Sequence, residues 1–204
     1  MKKLLIFEKL AKLFESNGFS LYLVGGSTRD FLLNKPFFDF DFATDALPSE
    51  AKKILPPFKK CFEAYGSFTI NFEGVSCDIT TLREEKGYLD HRHPEKVIFI
   101  KDPKIDSNRR DFTINALYLT SSYQILDYHN GLTDLKNKII RFIGDPYLRI
   151  KEDPLRILRA ERFKEKLGFS YEIETKKAID ELHDLINELN PYKILEEKKK
   201  GELL

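Results

Sequence analysis

The sequence has few cysteines and no long apolar run. Cys61 and Cys77 are the two cysteines among 204 residues, too few for a disulfide framework or a cysteine-based zinc cluster. No apolar segment approaches the roughly 20 residues that a membrane-spanning helix needs. We therefore expect two reduced thiols, no membrane partner and a soluble protein of the cytoplasm.

The sequence also lacks a large excess of one charge. Lys and Arg number 34 and Asp and Glu number 33, so the formal net charge is +1. Any affinity for nucleic acid must therefore come from local clusters of charge. Apolar residues make up 42% of the chain and include 17 phenylalanines. This composition supports a real core, and the length of 204 residues allows one domain of ordinary size, or one plus a small helical annex.

The first chemical pattern is a glycine turn. Gly25 and Gly26 follow a short apolar run and let the backbone turn without a Cβ clash. Ser27 followed by Asp30 predicts a helix that begins with a capping-box-like arrangement. Free N–H groups at a helix N-terminus bind phosphate, and Arg29 lies close enough in sequence to add charge. The stretch predicts a phosphate seat.

A strand with two carboxylates follows the glycine turn. Alternation puts Phe38, Phe40 and Phe42 on one face of this strand, and Asp39 and Asp41 on the other. Neighbouring carboxylates repel each other unless a cation lies between them, and Mg²⁺ takes oxygen ligands. The alternative is a half-buried edge strand with a solvated polar face. The preceding glycine turn favours the metal site.

Two alternating runs, residues 67–72 and 75–80, flank a Glu-Gly turn and predict a hairpin. If this hairpin pairs beside the acidic strand, Asp78 lies on the same polar face as the two carboxylates. A lone solvated aspartate near a turn is an equally good interpretation.

The middle of the chain carries weaker patterns. Residues 83–95 are polar and predict a loop, in which His91 and His93 are more typical of solvated side chains than of a metal site. Residues 109–117 predict a polar helix whose paired arginines could contact an anion or a sugar.

A second strong pattern lies in residues 153–168, which predict a helix. Asp153 and Arg156 share its inward face with Ala160 and Phe163. A surface pair of this kind contributes about a few tenths of a kcal/mol. On an inward face, acid and arginine together offer acceptors and donors that match the Watson–Crick edge of a base.

Four ordered motifs resemble those of the bacterial-type (class II) tRNA nucleotidyltransferases, which are the CCA-adding enzymes, with bacterial poly(A) polymerases as siblings. They are LVGGSTRD with DFDFAT, then RRDFTINAL, DYHNGLTDLKNKIIR and EDPLRILRAERF. The resemblance runs from about residue 21 to the end of the chain. It implies an α+β fold: a polymerase-β-like nucleotidyltransferase head at residues 1–138, with a small mixed or antiparallel sheet and flanking helices, then an all-helical neck at residues 139–204.

The resemblance also implies an activity and its site. The activity is template-independent addition of CMP, AMP or both from CTP and ATP to the tRNA 3′ end, with two Mg²⁺ held by Asp39 and Asp41. Asp78 would be a third catalytic carboxylate, and Asp153 and Arg156 would pair with the incoming base. The full nucleotide-binding set is Gly25, Gly26, Ser27, Arg29, Arg110, Asp111, Asn115, Asp153, Arg156, Arg159 and Arg162.

The resemblance leaves the product and the partners open. The full-length segment at residues 83–95 favours use of ATP as well as CTP, while A addition alone, poly(A) synthesis and an inactive nucleotide- or RNA-binding module are alternatives. Family members continue into helical body and tail regions that grip tRNA, whereas this sequence ends at Leu204. Missing domains, a partner or a homo-oligomer would then supply the grip.

Overall fold

A computed structural model describes residues 2–37, 40–88 and 94–202. Within these ranges the helices are α1 (Lys2–Glu15), α2 (Gly25–Leu32), α3 (Pro48–Ile54), α4 (Pro103–Ser107), α5 (Gly131–Asn137), α6 (Pro146–Glu152), α7 (Leu155–Leu167), α8 (Ile173–Leu182) and α9 (Pro191–Glu202). The strands are β1 (Leu21–Leu23), β2 (Phe40–Thr44), β3 (Lys60–Phe62), β4 (Ser67–Phe72), β5 (Val75–Thr81), β6 (Arg83–Tyr88), β7 (Pro94–Phe99), β8 (Leu117–Leu119), β9 (Ile125–Asp127), β10 (Ile139–Ile140) and β11 (Ser170–Tyr171).

Residues 21–127 contain a seven-stranded mixed sheet with the order β3-β4-β5-β2-β1-β8-β9. Its one parallel pair among the described strands is β2 with β5, and the other neighbours run antiparallel. The predicted hairpin is confirmed as β4 and β5, which pair from Ser67 with Thr80 to Phe72 with Val75.

Helix α1 covers one face of this sheet because both surfaces are apolar. Phe7, Leu10 and Phe14 of α1 are buried in the same core as Phe40 and Phe42 of β2. The predicted alternation in β2 is confirmed for these two phenylalanines, while Phe38 and Asp39 lie outside the described residues. Burial of the apolar face leaves the other face of β2 to its polar side chains.

A second core joins α6–α9, called here the helical half of the chain, to the part that carries the seven-stranded sheet. Phe112 and Ile114, which precede β8, pack with Ile157 and Phe163 of α7. From residue 139 onward the described chain is helical apart from the two-residue strands β10 and β11, which pair in parallel. The boundary between residues 138 and 139 stays a prediction, and apolar packing crosses it.

The loop predicted at residues 83–95 is wrong over its described part. Strands β6 and β7 pair antiparallel from Arg83 with Phe99 to Tyr88 with Pro94. The local pattern is too polar to show a strand, and cross-strand pairing with Val97 and Ile98 supplies what the pattern lacks. Residues 89–93, with His91 and His93, lie outside the described residues.

The helix predicted at residues 109–117 is also wrong. The chain instead forms one 3₁₀ turn at Thr113–Asn115 and then enters β8. Phe112, Ile114 and Leu117 are all fully buried, in the core shared with α7. Packing of these side chains on several sides outweighs the helical propensity of the segment.

The expected α+β architecture, a small mixed sheet with flanking helices, is confirmed. No helix in the described ranges combines the length and the apolar composition needed to cross a bilayer.

Two phenylalanines on opposite faces of the sheet should differ in how much they contribute to stability. Phe42 is 1% exposed in the main core and Phe62 is 61% exposed. Phe42→Ala should lower the free energy of unfolding by about 3–5 kcal/mol, and Phe62→Ala, the matched control, by no more than about 0.5 kcal/mol. Urea unfolding followed by circular dichroism measures both. Equal midpoints for the two variants would contradict the assignment of faces.

Candidate active site

The glycine turn lies directly beside the acidic strand. Gly25 has φ +63, and a Cβ at this position would lie 3.2 Å from Oδ2 of Asp41. A side chain here would be strained and would crowd the carboxylate. Helix α2 begins at Gly25 and not at Ser27, so the predicted capping box is wrong. The hydroxyl of Ser27 instead accepts a hydrogen bond from the Asp41 amide at 3.0 Å, which fixes the turn against β2.

Two carboxylates face each other across the parallel pair of strands. Asp41 of β2 and Asp78 of β5 are register partners, so their side chains lie on the same face of the sheet. Thr69 of β4 donates its hydroxyl to Asp78 and orients that carboxylate. Carboxylate oxygens are ligands that Mg²⁺ accepts, so this pair fits a divalent cation. Groups of three or more metal-binding side chains are absent from the described residues, which exclude Asp39.

Arg29 forms a buried wall of the site. Its guanidinium pairs with Asp30 at 2.8 Å and donates to the side-chain oxygen of Asn115 at 2.8 Å. The guanidinium also lies 5.0 Å from the centre of the Phe163 ring of α7. Arg29 therefore joins the glycine turn, the segment before β8 and the helical half of the chain.

Arg110 is held by a network that sequence patterns did not reveal. It donates to the Tyr118 hydroxyl at 2.8 Å and pairs with Asp106 at 3.2 Å. Asp106 is fully buried and also accepts from the backbone N–H of Arg83 and from Arg109. Burial alone would lower the pKa of Arg110, but Tyr118, Asp106 and also Asp41 raise it above its usual range. Arg110 is thus kept charged within electrostatic reach of Asp41.

Arg156 lies at the start of α7 and is anchored by its neighbours. Its guanidinium donates to Glu152 at 2.7 Å and to the carbonyl of Arg149. Arg149 pairs with the same Glu152 at 2.6 Å and donates to the carbonyls of Arg109 and Arg110. The helix predicted at residues 153–168 is confirmed only from Leu155, because Asp153 has an extended backbone between α6 and α7. The carboxylate of Asp153 accepts the Leu155 amide at 3.2 Å. These contacts fix the acid just before α7 and the arginine in its first turn.

Two further arginines of α7 are paired with buried acids. Arg159 lies 2.6 Å from Asp111, and Arg162 lies 2.7 Å from Glu197 of α9. Burial alone would raise the pKa of Asp111, but Arg159 and Arg156 lower it below its usual range. Asp111 therefore carries a negative charge that holds Arg159 in place.

One open cleft of about 1070 Å³ lies between the sheet and the helical half, and some of these groups line it. Every predicted site residue that the structure describes contributes to its lining: Gly25, Gly26, Ser27, Arg29, Asp41, Asp78, Arg110, Asp111, Asn115, Asp153, Arg156, Arg159 and Arg162. The role of each side chain stays a prediction, and Asp39 lies outside the described residues.

The sequence patterns missed three residues that organise this cleft: Asp106, Arg149 and Glu152. Asp106 precedes the paired arginines by three and four residues, the spacing of ion pairs on a helix, and this was the available signal. Glu152 follows Arg149 by three residues and precedes Arg156 by four, so the same spacing was available for this acid. The bonds of Arg149 to backbone carbonyls about 40 residues away in sequence give no such signal.

Residues 21–141 match the family of the poly(A) polymerase head domain, which covers more than half of the chain. The chain belongs to this head-domain family. The match includes the glycine turn, both described carboxylates and the segment from Asp106 to Asn115. The residues from α6 to α9 lie beyond the matched range.

Alignments with individual relatives reach beyond the head domain into the helical half of the chain. The CCA-adding enzyme of Pediococcus pentosaceus is 44% identical over 189 residues, which are 91% of this chain and 47% of that protein. The CCA-adding enzyme of Lactobacillus helveticus is 44% identical over 183 residues, 90% of this chain and 46% of that protein. The chain therefore spans about half the length of the curated relatives it matches.

Solved structures carry the same arrangement of head and helices. The Bacillus stearothermophilus CCA-adding enzyme in complex with CTP matches with a TM-score of 0.88 at 29% identity, over 97% of this chain and 48% of that chain. A tRNA nucleotidyltransferase complexed with a primer tRNA and an incoming ATP analog matches with a TM-score of 0.77 at 29% identity, over 93% of this chain and 54% of that chain.

The buried network around Asp106 predicts a pH-dependent stability. Burial alone would raise the pKa of Asp106, but Arg109, Arg110 and Tyr118 lower it from 3.8 to about 2. The carboxylate therefore stabilises the fold above its unfolded pKa, and this contribution is lost as the pH falls through about 2. Asp106→Asn should cost about 3–5 kcal/mol near neutral pH, because it leaves two arginines without their acid.

The measurement is urea unfolding of wild type and Asp106→Asn between about pH 6 and pH 2. The gap between the two unfolding free energies should narrow as the pH falls below about 4. Asp180→Asn, at an exposed acid of α8, is the control and should leave the gap near zero. A gap that stays constant down to about pH 2 would contradict the depressed pKa of Asp106.

Proposed function

We propose that this protein is a template-independent nucleotidyltransferase that adds CMP and AMP from CTP and ATP to the 3′ end of tRNA. The observation that carries the proposal is the Asp41–Asp78 pair at the floor of a cleft bordered by the glycine turn and by arginines from both halves of the chain. CCA-adding relatives at 44% identity, and a likeness to enzymes solved with CTP and with a primer tRNA, support it. The proposed place of this activity is the cytoplasm.

Each wall of the cleft has a share in the proposed reaction. The backbone N–H groups of the Gly25–Gly26 turn, with Arg29 behind them, bind the triphosphate. Arg110, kept charged by Asp106 and Tyr118, offsets negative charge that gathers beside Asp41 during transfer. Catalysis is then mainly a matter of positioning the RNA hydroxyl and the α-phosphate in line.

Asp41 and Asp78, with Asp39, are the proposed ligands of Mg²⁺. Their carboxylate oxygens are the donors that this cation prefers. Bound there, Mg²⁺ supplies activation of the RNA 3′-hydroxyl and neutralisation of charge on the leaving pyrophosphate.

Base selection is assigned to Asp153 and Arg156 at the start of α7. A carboxylate accepts and a guanidinium donates in fixed directions, so the pair can hydrogen-bond the edge of a cytosine or an adenine in place of a template strand. Glu152 and the carbonyl of Arg149 hold the guanidinium of Arg156, which makes its direction reproducible.

Replacing the acid of β2 should separate binding from chemistry. Asp41→Asn should reduce the extension of a tRNA that lacks its 3′-terminal CCA by at least roughly 100-fold, because the site would lose a ligand of the Mg²⁺ that offsets negative charge in the transition state. Binding of labelled CTP should persist. Extension is measured on a sequencing gel with Mg²⁺ and labelled CTP or ATP.

Asp180→Asn is the matched control, since it removes an equal charge at the surface. Full extension by Asp41→Asn would refute the assignment of the acidic pair. If wild type binds CTP and yet extends no tRNA, the proposed activity is refuted and the chain is a nucleotide-binding module.

Arg156→Lys should relax the choice of base. Lysine keeps the positive charge but loses the planar pair of donors, which is worth about 1–3 kcal/mol of discrimination against a wrong base. The preference for CTP and ATP over UTP and GTP should fall by roughly 5- to 150-fold. Sequencing of product ends after incubation with all four nucleotides measures it. Arg141→Lys is the control, and unchanged selectivity in Arg156→Lys would remove the base-reading role.

A further inference from the structure

The face of the sheet that carries the carboxylates continues as a polar surface to the sheet edge. Register partners run from Asp41 to Asp78, then to Thr69 of β4 and Lys60 of β3. The hydrogen bond between Thr69 and Asp78 places their side chains on this same face. The surface therefore extends from the acidic pair across two further strands, β4 and β3.

A second row on this face ends in an aromatic ring. Thr80 of β5 pairs with Ser67 of β4, and their hydroxyls lie 3.1 Å apart. Ser67 pairs in turn with Phe62 of β3. Phe62 thus shares the face with Asp78 and lines the same cleft.

The exposure of Phe62 is not explained by packing. It is 61% exposed, and it is the one phenylalanine among the exposed large apolar side chains in the described part of the chain. Its neighbour Cys61, on the opposite face, packs on the main core as strand alternation requires. What sets this ring apart is its place: it lines the cleft on the same row of the sheet as the acidic pair, where its flat face is open to a stacking partner.

We propose that Phe62 is a stacking platform for a base of the RNA primer, upstream of the nucleotide that carries the reacting 3′-hydroxyl. This inference rests on the proposed function, because the RNA end must reach Asp41 and Asp78. Single-stranded nucleic acid is bound by aromatic rings that stack on bases beside positive charge that follows the backbone. Lys60, exposed on the same face of β3, supplies such a charge.

The geometry of the sheet suits this occupant. Two strand spacings and two residues along a strand separate Phe62 from Asp78, which is roughly 12 Å between Cα atoms. A primer that ends at the acidic pair has to cross β5 and β4 to leave the cleft on this side. Phe62 then meets a base beyond the terminal nucleotide, and stacking needs no particular sequence because every base has a π-face.

The test is RNA binding by the full chain without nucleoside triphosphate. Binding is measured by fluorescence anisotropy with a 5′-labelled single-stranded RNA that ends in two cytidines. The dissociation constant of Phe62→Ala should be roughly 5- to 100-fold larger than that of wild type. Phe62→Trp should restore wild-type affinity. Phe62→Leu, which keeps apolar area but loses the ring, should stay weak. The affinity of Phe62→Ala for labelled CTP should equal that of wild type.

Tyr123→Ala is the matched control, since Tyr123 is an exposed aromatic between β8 and β9, at the opposite edge of the sheet. Equal RNA affinity of wild type, Phe62→Ala and Phe62→Leu would overturn the platform even if tRNA is extended. Ring-dependent RNA binding without extension would sustain the platform and refute the proposed reaction. A wild type that binds no RNA, or a dimer that Phe62→Ala dissociates while RNA affinity is unchanged, would also overturn the platform.

Discussion

The buried carboxylate of Asp106 is the contact on which the cleft depends. It is fully buried and satisfied by Arg109, Arg110 and the Tyr118 hydroxyl, with the Arg83 amide as a fourth donor. A buried carboxylate without such partners would be strongly destabilising, so α4, β6 and β8 have to meet around it. Arg110 therefore stays close enough to Asp41 for the two opposite charges to attract each other. Moving Arg110 away would leave the buried carboxylate of Asp106 partly uncompensated. The guanidinium of Arg110 beside the acidic pair is therefore a fixed part of the fold.

A second set of ion pairs extends this constraint into the helical half. Arg149 donates to the backbone carbonyls of Arg109 and Arg110, and Glu152 accepts from both Arg149 and Arg156. Arg156 also donates to the carbonyl of Arg149, so the arginine proposed to read the base is two contacts away from the arginine beside the acidic pair. A chain with a net charge of +1 builds its cationic cleft in this way, by pairing each arginine with a neighbouring acid or carbonyl. The groups on either side of the cleft are held in one network, which suits a reaction that depends on positioning.

Local alternation predicted the parts of the fold that depend on one face being buried. The hairpin of β4 and β5 and the acidic side of β2 followed from period-two patterns, because an apolar strand face has to meet the core. Strands β6 and β8 were missed, since polar β6 is stabilised by cross-strand pairing and the segment before β8 by a core contributed from α7. In the site, motif spacing identified residues that converge. Asp106 also accepts from the Arg83 amide, and Arg149 donates to the carbonyls of Arg109 and Arg110, which are distant in sequence. Patterns within one segment carry no information about such contacts.

The two faces of the sheet separate stability from the proposed chemistry. On β2, alternation sends Phe40 and Phe42 into the core beneath α1 and Asp41 into the cleft. On β3, it sends Cys61 toward that same core and leaves Phe62 in solvent. A one-residue shift in register would exchange these sets, so the core that stabilises the sheet also selects which side chains the cleft receives. The acidic pair and the exposed ring are therefore consequences of a single alternation, whose apolar half is fixed by burial and whose polar half is available to a ligand.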